Sequence, residues 1–284
     1  MQATTRAVTR SNRTGRGRQA HTFPSALTIY YGRRRMLTLA PSFLLDRATS
    51  PYRRLSATLF LACKAPFQLE VGDGITLTTR AALLAPRVRR RRTVALDSEI
   101  VIFDVPIGTP EYAALEPTLQ AQQILALDFD RFAHLVPRFR RAQTGTASCA
   151  EVDRLFRDVL HAIAGETPTL RTIDPRIVRA CTLIDELTLD QVSLGGLAKT
   201  LHLSASRLRH LFREELGCTL SHYARWTAVW KAAMLWMQGT PFTELAHAVG
   251  FYDLAHLDHA FVETFGVNPS TVIDPAQIRL IRCA

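Results

Sequence analysis

The 284-residue sequence predicts a two-domain α+β chain, built from short strands in its first part and from helices alone in its last. Three observations carry that prediction. Between about Ala26 and Pro110, short β-branched and aromatic runs alternate with Pro, Gly and charged turns. After Pro110, apolar residues fall three and four apart. Between Leu194 and Val272 one helical pattern is written twice: Leu197-Ala198 return as Leu245-Ala246, and Leu208, Phe212 and Gly217 return as Leu257, Phe261 and Gly266, one residue further along.

Residues 1–24 hold five Arg, no acid and almost no apolar content, a composition that reads as a disordered basic arm. Residues 25–110 supply strands at Leu37 to Leu45, Ser56 to Cys63, Phe67 to Val71, Ile75 to Thr79, Ala82 to Leu84, Thr93 to Leu96 and Ile100 to Asp104. Gly72-Asp73-Gly74 is a hairpin turn. Strands this short and this closely spaced predict a β-sandwich or small jelly roll.

Residues 111–164 turn helical, with helices over Tyr112 to Leu127 and Ser148 to Ala164 framing a Pro- and Arg-rich connection at Val136-Pro137-Arg138. Their apolar stripes serve either dimerisation or packing on their own sandwich. Residues 165–173, with Pro168, form the expected linker. Residues 174–284 then open with Asp174-Pro175 at the start of a scaffold helix.

Each copy of the repeat is a short amphipathic helix, a turn, and a second helix closed by Gly, with Ser204 capping the second helix of the first copy. Gly250 suits a turn that needs positive φ. This is the helix-turn-helix pattern, whose second helix enters a DNA major groove. Between the copies, Thr219 to Met237 makes a helix about 28 Å long at 1.5 Å per residue. That length is near the ~34 Å between successive major-groove faces.

The segments LAKTLHLSASRLRHLFREELGCTLSHY (Leu197 to Tyr223) and ELAHAVGFYDLAHLDHAFVETFGVNPS (Glu244 to Ser270) resemble the AraC family of bacterial transcription regulators in order and spacing. Gly250-Phe251, Phe261 and the run Phe265 to Pro269 stand where that family places them, and the resemblance covers about the last 100 residues. It implies a cytoplasmic protein that binds double-stranded promoter DNA. RNA polymerase, a small-molecule effector of unknown identity and a second copy of the chain are its further expected partners.

The outward residues of the first reading helix are Ser206, Arg207, Arg209, His210 and Arg213. By the family pattern Ser206, Arg209 and His210 face base edges. Arg209 is the foremost base reader, because a guanidinium binds guanine O6 and N7 together. Arg207 and Arg213 suit phosphate. In the second copy the outward set is Tyr252, Ala255, His256 and His259, beside Asp253, Asp258 and Glu263 and without Lys or Arg. The family usually has Arg at the place of Ala228 and basic residues at His259 and Val262, so the second head is expected to grip phosphate poorly.

The formal net charge is +10, but residues 171–284 carry eleven Lys or Arg against eleven Asp or Glu. Affinity for DNA must therefore come from local clustering. A degenerate AraC-like interaction protein with weak DNA binding is the alternative function.

The strand region resembles, more weakly, the cupin-like sensor domains that precede AraC-type domains. Where those domains place metal-binding His after Pro, this sequence has Pro51-Tyr52-Arg53-Arg54 and Pro86-Arg87-Val88-Arg89. No metal and no cofactor is therefore expected. Arg54, Arg87 and Arg89 either line a cavity for an anionic effector or form a solvated edge, and alternation in a strand would turn only every second Arg inward. Trp226 and Trp230 fall at core spacing. No P-loop, nucleophile elbow, zinc-protease motif or Gly-rich dinucleotide turn occurs, so the chain is read as a non-enzyme. The five cysteines show no pairing motif and are expected to be incidental thiols of a reducing compartment, with Cys218 the most suggestive redox candidate.

Overall fold

A computed structural model describes residues 27–32, 35–45, 51–72, 74–119, 122–165, 172–237, 240–266 and 278–283. The expected basic arm and most of the expected linker lie outside these residues.

The strand region forms two sheets. Strands β1 (Leu27–Gly32), β2 (Arg35–Ala40), β4 (Ser56–Ala62), β7 (Ala81–Leu84), β9 (Ile100–Pro106), β10 (Ile124–Ala126) and β11 (Ile278–Arg282) make one, ordered β10-β7-β4-β9-β2-β1-β11. Strands β3 (Phe43–Leu45), β5 (Phe67–Val71), β6 (Ile75–Thr79) and β8 (Arg90–Ala95) make the other, ordered β3-β8-β5-β6. The Gly72 to Gly74 turn joins β5 to β6 in antiparallel register, Val71 opposite Ile75, with both glycines at positive φ. Asp73 lies outside the described residues.

Strands β4 and β9 are buried along their whole length, because each faces a different core on either side. Phe60, Ala62, Ile100 and Ile102 point between the sheets, onto Phe67 and Leu69. Leu59, Leu61, Val101 and Phe103 point the other way, onto helices. Side chains that alternate between two apolar layers read as a continuous apolar run.

The helices on that outer face are α1 (Pro110–Leu119), α2 (Asp130–Ala133), α3 (Val136–Gln143) and α4 (Cys149–Ala164). Phe139 and Phe156 meet Phe103 edge-on at 6.1 and 5.1 Å between centroids. The Pro- and Arg-rich connection is itself helical: Pro137 occupies the first turn of α3, where its missing N–H costs nothing. Ser148 starts α4 with a capping box, exchanging hydrogen bonds with Glu151. The helical run expected to continue to Leu127 stops at α1, and Ile124–Ala126 joins the sheet edge as β10.

The C-terminal region is the double helix-turn-helix. A scaffold helix α5 (Pro175–Glu186) and a 3-10 turn at Leu189–Gln191 precede α6 (Leu194–Thr200) and α7 (Ala205–Leu216). The connecting helix α8 (Leu220–Met237) leads to α9 (Phe242–Ala248) and α10 (Leu254–Phe265). Each copy has its own core. Ile177, Leu208, Phe212 and Tyr223 gather in the first, and Val229, Leu245, Leu257 and Phe261 in the second. Gly217 and Gly266 end α7 and α10 in the left-handed conformation, at φ 63 and 80.

No sequence periodicity marks a strand after Val272, yet β11 returns to the first sheet and pairs in parallel with β1, Tyr30 opposite Ile281. Beside it Cys149, at the first position of α4, forms a disulfide with Cys283, their Cα atoms 5.4 Å apart. The expectation of five unpaired thiols is corrected by this bond. The two partners are 134 residues apart, and only the tertiary fold brings them together. Cys218 is corrected too, since burial pushes its thiol up to about 11, far from a reactive thiolate.

Candidate nucleic-acid interface

Both reading helices begin on side-chain caps and expose their outward faces. The Ser204 hydroxyl accepts the Arg207 N–H at 3.1 Å, and the Asp253 carboxylate accepts the His256 N–H at 2.7 Å. On α7, Leu208, Leu211 and Phe212 are buried, and Ser206, Arg207, Arg209, His210 and Arg213 are exposed. His210 lies 3.5 Å from Glu214 on the next turn. Tyr252 precedes α10 and is 88 % exposed, and Ala255, His256 and His259 share its open side. The rings of Phe251 and His256 meet edge-on at 5.0 Å.

The acids of the second head oppose phosphate less than their number suggests. Asp253 is spent on the cap. Asp258 is half-buried, and burial raises its carboxyl above the usual range. Glu263, at the far end of α10, lies 3.4 Å from Arg225 and 3.7 Å from His259. Trp226, Trp230 and Trp236 pack as core-spaced aromatics: Trp226 on Tyr223, Trp230 on Phe265 and Trp236 on Phe261.

The β-domain holds the opposite ends of the same two helices. Arg87 donates to the carbonyl of Gly217, which closes α7, and the backbone N–H of Arg53 donates to the carbonyl of Glu263 at 2.9 Å. Arg54 lies over the rings of Trp230 and Phe265, 5.8 and 5.4 Å from their centroids. Leu55 and Ile107 of the β-domain complete the core of the first helix-turn-helix.

The three arginines read as an effector set are therefore divided by the fold. Arg54 pairs at 2.5 Å with Asp104, which is 1 % exposed and also accepts the hydroxyls of Ser56 and Thr58 at 3.0 and 2.6 Å. Arg87, at φ 66, is committed to Gly217. Arg89 lines a polar cleft of about 400 Å³, with Arg53, His222, Arg225 and Glu263. The inward arginine is Arg90, fully buried, its Nη2 donating to Thr58 at 2.7 Å. Strand parity decides this, since Arg90 opens β8 on the inner face. Burial lowers its guanidinium to about 10, helped by the nearby charge of Arg54 and opposed by Tyr52 and Asp104.

A second, mostly apolar cavity of about 450 Å³ lies between the domains. Tyr31, Met36 and Pro106 line it from the β-domain and Trp226, Trp230 and Met234 from α8. Thr227 and Lys231 complete the α8 side. The buried Thr227 hydroxyl and the indole N–H groups of Trp226 and Trp230 have no hydrogen-bond partner among the described residues. Lys231 donates to the carbonyls of Ile184 and Leu187 at 3.2 and 2.6 Å, and burial lowers its ammonium below the usual range. Sequence reasoning missed this cavity. Its one legible signal is Lys231 itself, the only charge in the apolar half of α8.

A helix-turn-helix domain model matches residues 197–274. The arabinose operon regulatory proteins of Escherichia coli K12 and Salmonella typhimurium are each 30 % identical over 100 residues, 34 % of this chain and 34 % and 36 % of theirs. The match thus spans about a third of the length of these curated relatives. Apo ToxT from Vibrio cholerae, as a lysine-to-alanine variant, covers 85 % of this chain and 97 % of its own at TM-score 0.58 and 12 % identity. Wild-type ToxT bound to an unsaturated fatty acid covers 84 % and 94 % at TM-score 0.53 and 12 % identity. The ToxT likeness extends over both domains and is one of fold. The C-terminal region thus carries a helix-turn-helix domain, similar in sequence to the matching third of the arabinose operon regulatory proteins.

Proposed function

We propose that the chain is a sequence-specific regulator that reads promoter duplex with α7 and α10 and whose domain arrangement answers to a small effector. The observation that carries this reading is the split use of the two helices. Their capped N-terminal ends are open to solvent, and their C-terminal ends are gripped by the β-domain. A change at the domain interface therefore reorients both reading surfaces together.

Arg209 reads a guanine, and Ser206 and His210 read neighbouring base edges. Arg207 and Arg213 hold phosphate, and Tyr252, Ala255, His256 and His259 make the second, weaker contact. The effector site is the apolar interdomain cavity rather than the arginines of the β-domain. Its apolar walls, its idle hydroxyl and indole donors and the ammonium of Lys231 suit an amphiphilic carboxylate. The fatty acid bound to ToxT is a ligand of that class. A homodimer and contact with RNA polymerase belong to the same reading.

The test is selection of genomic DNA by the purified full chain at two salt concentrations, with and without oleate, beside Arg209→Ala. One enriched motif, lost steeply with salt and shifted in affinity by oleate, is expected. Arg209→Ala should relax one position by ~1–3 kcal/mol. Absence of any motif at low salt in both conditions would reject the reading in favour of a degenerate interaction protein.

A further inference from the structure

We propose that Cys149 and Cys283 form a thiol–disulfide exchange site, through which low-molecular-weight thiols set whether the DNA-reading unit is attached to the β-domain at one end or at both. The bond closes a covalent ring from α4 to the end of β11, and α5 to α10 all lie within that ring. While it is intact, the helical unit is anchored before α5 and again after α10.

The noncovalent hold on β11 is slight. It is a five-residue edge strand with no fully buried side chain: Ile278, Leu280 and Ile281 are half-buried, and Arg279 and Arg282 are exposed. Among the described residues its ties are the parallel pairing with β1, the Cys283 N–H to the Tyr31 carbonyl at 2.8 Å, Arg279 to the Thr144 carbonyl, and the packing of Ile278 and Leu280 at the edge of the intersheet core and of Ile281 at the edge of the outer one. Short parallel edges with so little burial are weak by themselves. The disulfide adds a covalent anchor at the end of this half-buried edge strand.

The site is also suited to exchange. Both cysteines are partly exposed, in contrast to the buried Cys63, Cys181 and Cys218. Cys149 sits at the first position of a 16-residue helix, where the helix N-terminus stabilises a thiolate and makes it the better leaving group. An external thiolate attacks Sγ of Cys283, forms a mixed disulfide there and expels the Cys149 thiolate, which takes up a proton. A second external thiolate then attacks the outer sulfur of that mixed disulfide and releases Cys283 as a thiol. In sum, two external thiols lose two electrons to become one external disulfide, and the protein disulfide gains them to become two thiols. Oxidised external disulfide drives the reverse.

Reduction thus frees β11 from β1 and leaves residues 165–174 as the one covalent tether of the reading unit, beside the noncovalent contacts of Arg53, Arg54, Arg87, Leu55 and Ile107. Arg282 of β11 also lines the interdomain cavity beside Tyr31 and Gly32, so release opens one wall of it. That consequence for effector and DNA rests on the function proposed above; the exchange site itself does not.

The test is hydrogen exchange of the full chain, read by mass spectrometry after equilibration with reduced or oxidised glutathione, beside Cys283→Ser and Cys149→Ser. In the oxidised wild type, residues 278–283 and 27–32 are expected to be protected. Reduction should raise their exchange roughly tenfold or more and leave β4 and β9 unchanged. Both variants should behave as reduced protein in either buffer. The proposal is overturned if millimolar reduced glutathione leaves the disulfide formed, or if β11 stays equally protected once the bond is gone. Where the proposed function also holds, reduction changes DNA affinity by about tenfold. Because the primary readout is β11, a protein with no DNA motif in either redox state counts against the function and not against the exchange site.

Discussion

Asp104→Ala tests whether one buried carboxylate organises the interior of the β-domain and its grip on the helices. Asp104 accepts three hydrogen bonds, from Arg54, Ser56 and Thr58, and is the only carboxylate among the groups that influence the fully buried Arg90. Its removal leaves two guanidinium charges without their carboxylate, that of Arg90 inside the sandwich and that of the mostly buried Arg54 at the domain interface. Breaking a buried pair by deleting one partner costs ~3–5 kcal/mol. That is a large share of the ~5–15 kcal/mol that holds an ordinary domain together. At a urea dependence of ~2 kcal/mol/M, the unfolding midpoint should fall by roughly 2 M. Asp104→Asn keeps an acceptor for the two hydroxyls and should fall by about half as much. Arg54→Ala placed on Asp104→Ala should recover part of the loss, because it removes one stranded charge. Urea unfolding followed by tryptophan fluorescence reads both stability and the Arg54–Trp230 contact. A loss below ~1 kcal/mol, or strict additivity of the two substitutions, would refute the reasoning.

Gly250→Ala should cost at least ~1–3 kcal/mol, because Gly250 sits at φ +83 and an added Cβ would meet the backbone nitrogens of Leu189 and Asp190 at 2.7 and 2.8 Å. Gly195→Ala, where an added Cβ meets nothing within 4 Å, is the control, and equal melting temperatures for the two would contradict the account. His222 is held below its ordinary value of 6.5 chiefly by burial and then by Arg225, with Glu263 opposing and Arg87 and Arg53 assisting. A base depressed in the folded state favours unfolding once it must take up a proton. Stability should therefore be full above 6.5 and fall as pH drops from there toward the depressed value. Denaturation of wild type and His222→Gln across about pH 5 to 8 checks this, the variant showing the shallower slope.

The C-terminal architecture was legible because it is local and written twice. The offset between Leu208 and Leu257, the cap at Ser204 and the glycines at 217, 250 and 266 each fix a helix end without reference to the rest of the chain, whereas the cap at Asp253 emerged only in the structure. Most strands of the first half were legible for the same reason, but β1 was not among those expected, and the single strand expected over Leu37 to Leu45 divides into β2 and β3, which belong to different sheets. What escaped was whatever depends on residues far apart. No periodicity shows that Cys149 meets Cys283, or that β11 finds β1 across the whole helical unit. The arginine cluster stayed open between a solvated edge and a cavity lining because its parity depends on where β8 begins, which places Arg90 inward and Arg89 outside. The cavity escaped because half its wall comes from each domain.

The parallel pairing of β1 with β11 also bears on how the chain is made. β1 leaves the ribosome before every other described strand, and its outer neighbour only after both helix-turn-helix copies have followed. Through most of synthesis, the apolar β1 edge, with Leu27, Ile29 and Tyr30, stands open. An open strand edge is a template for another chain. Nascent copies on one message are thus exposed to pairing with each other, and a stop or frameshift shortly before Ile278 would release a protein with both reading helices complete and a permanently sticky flank.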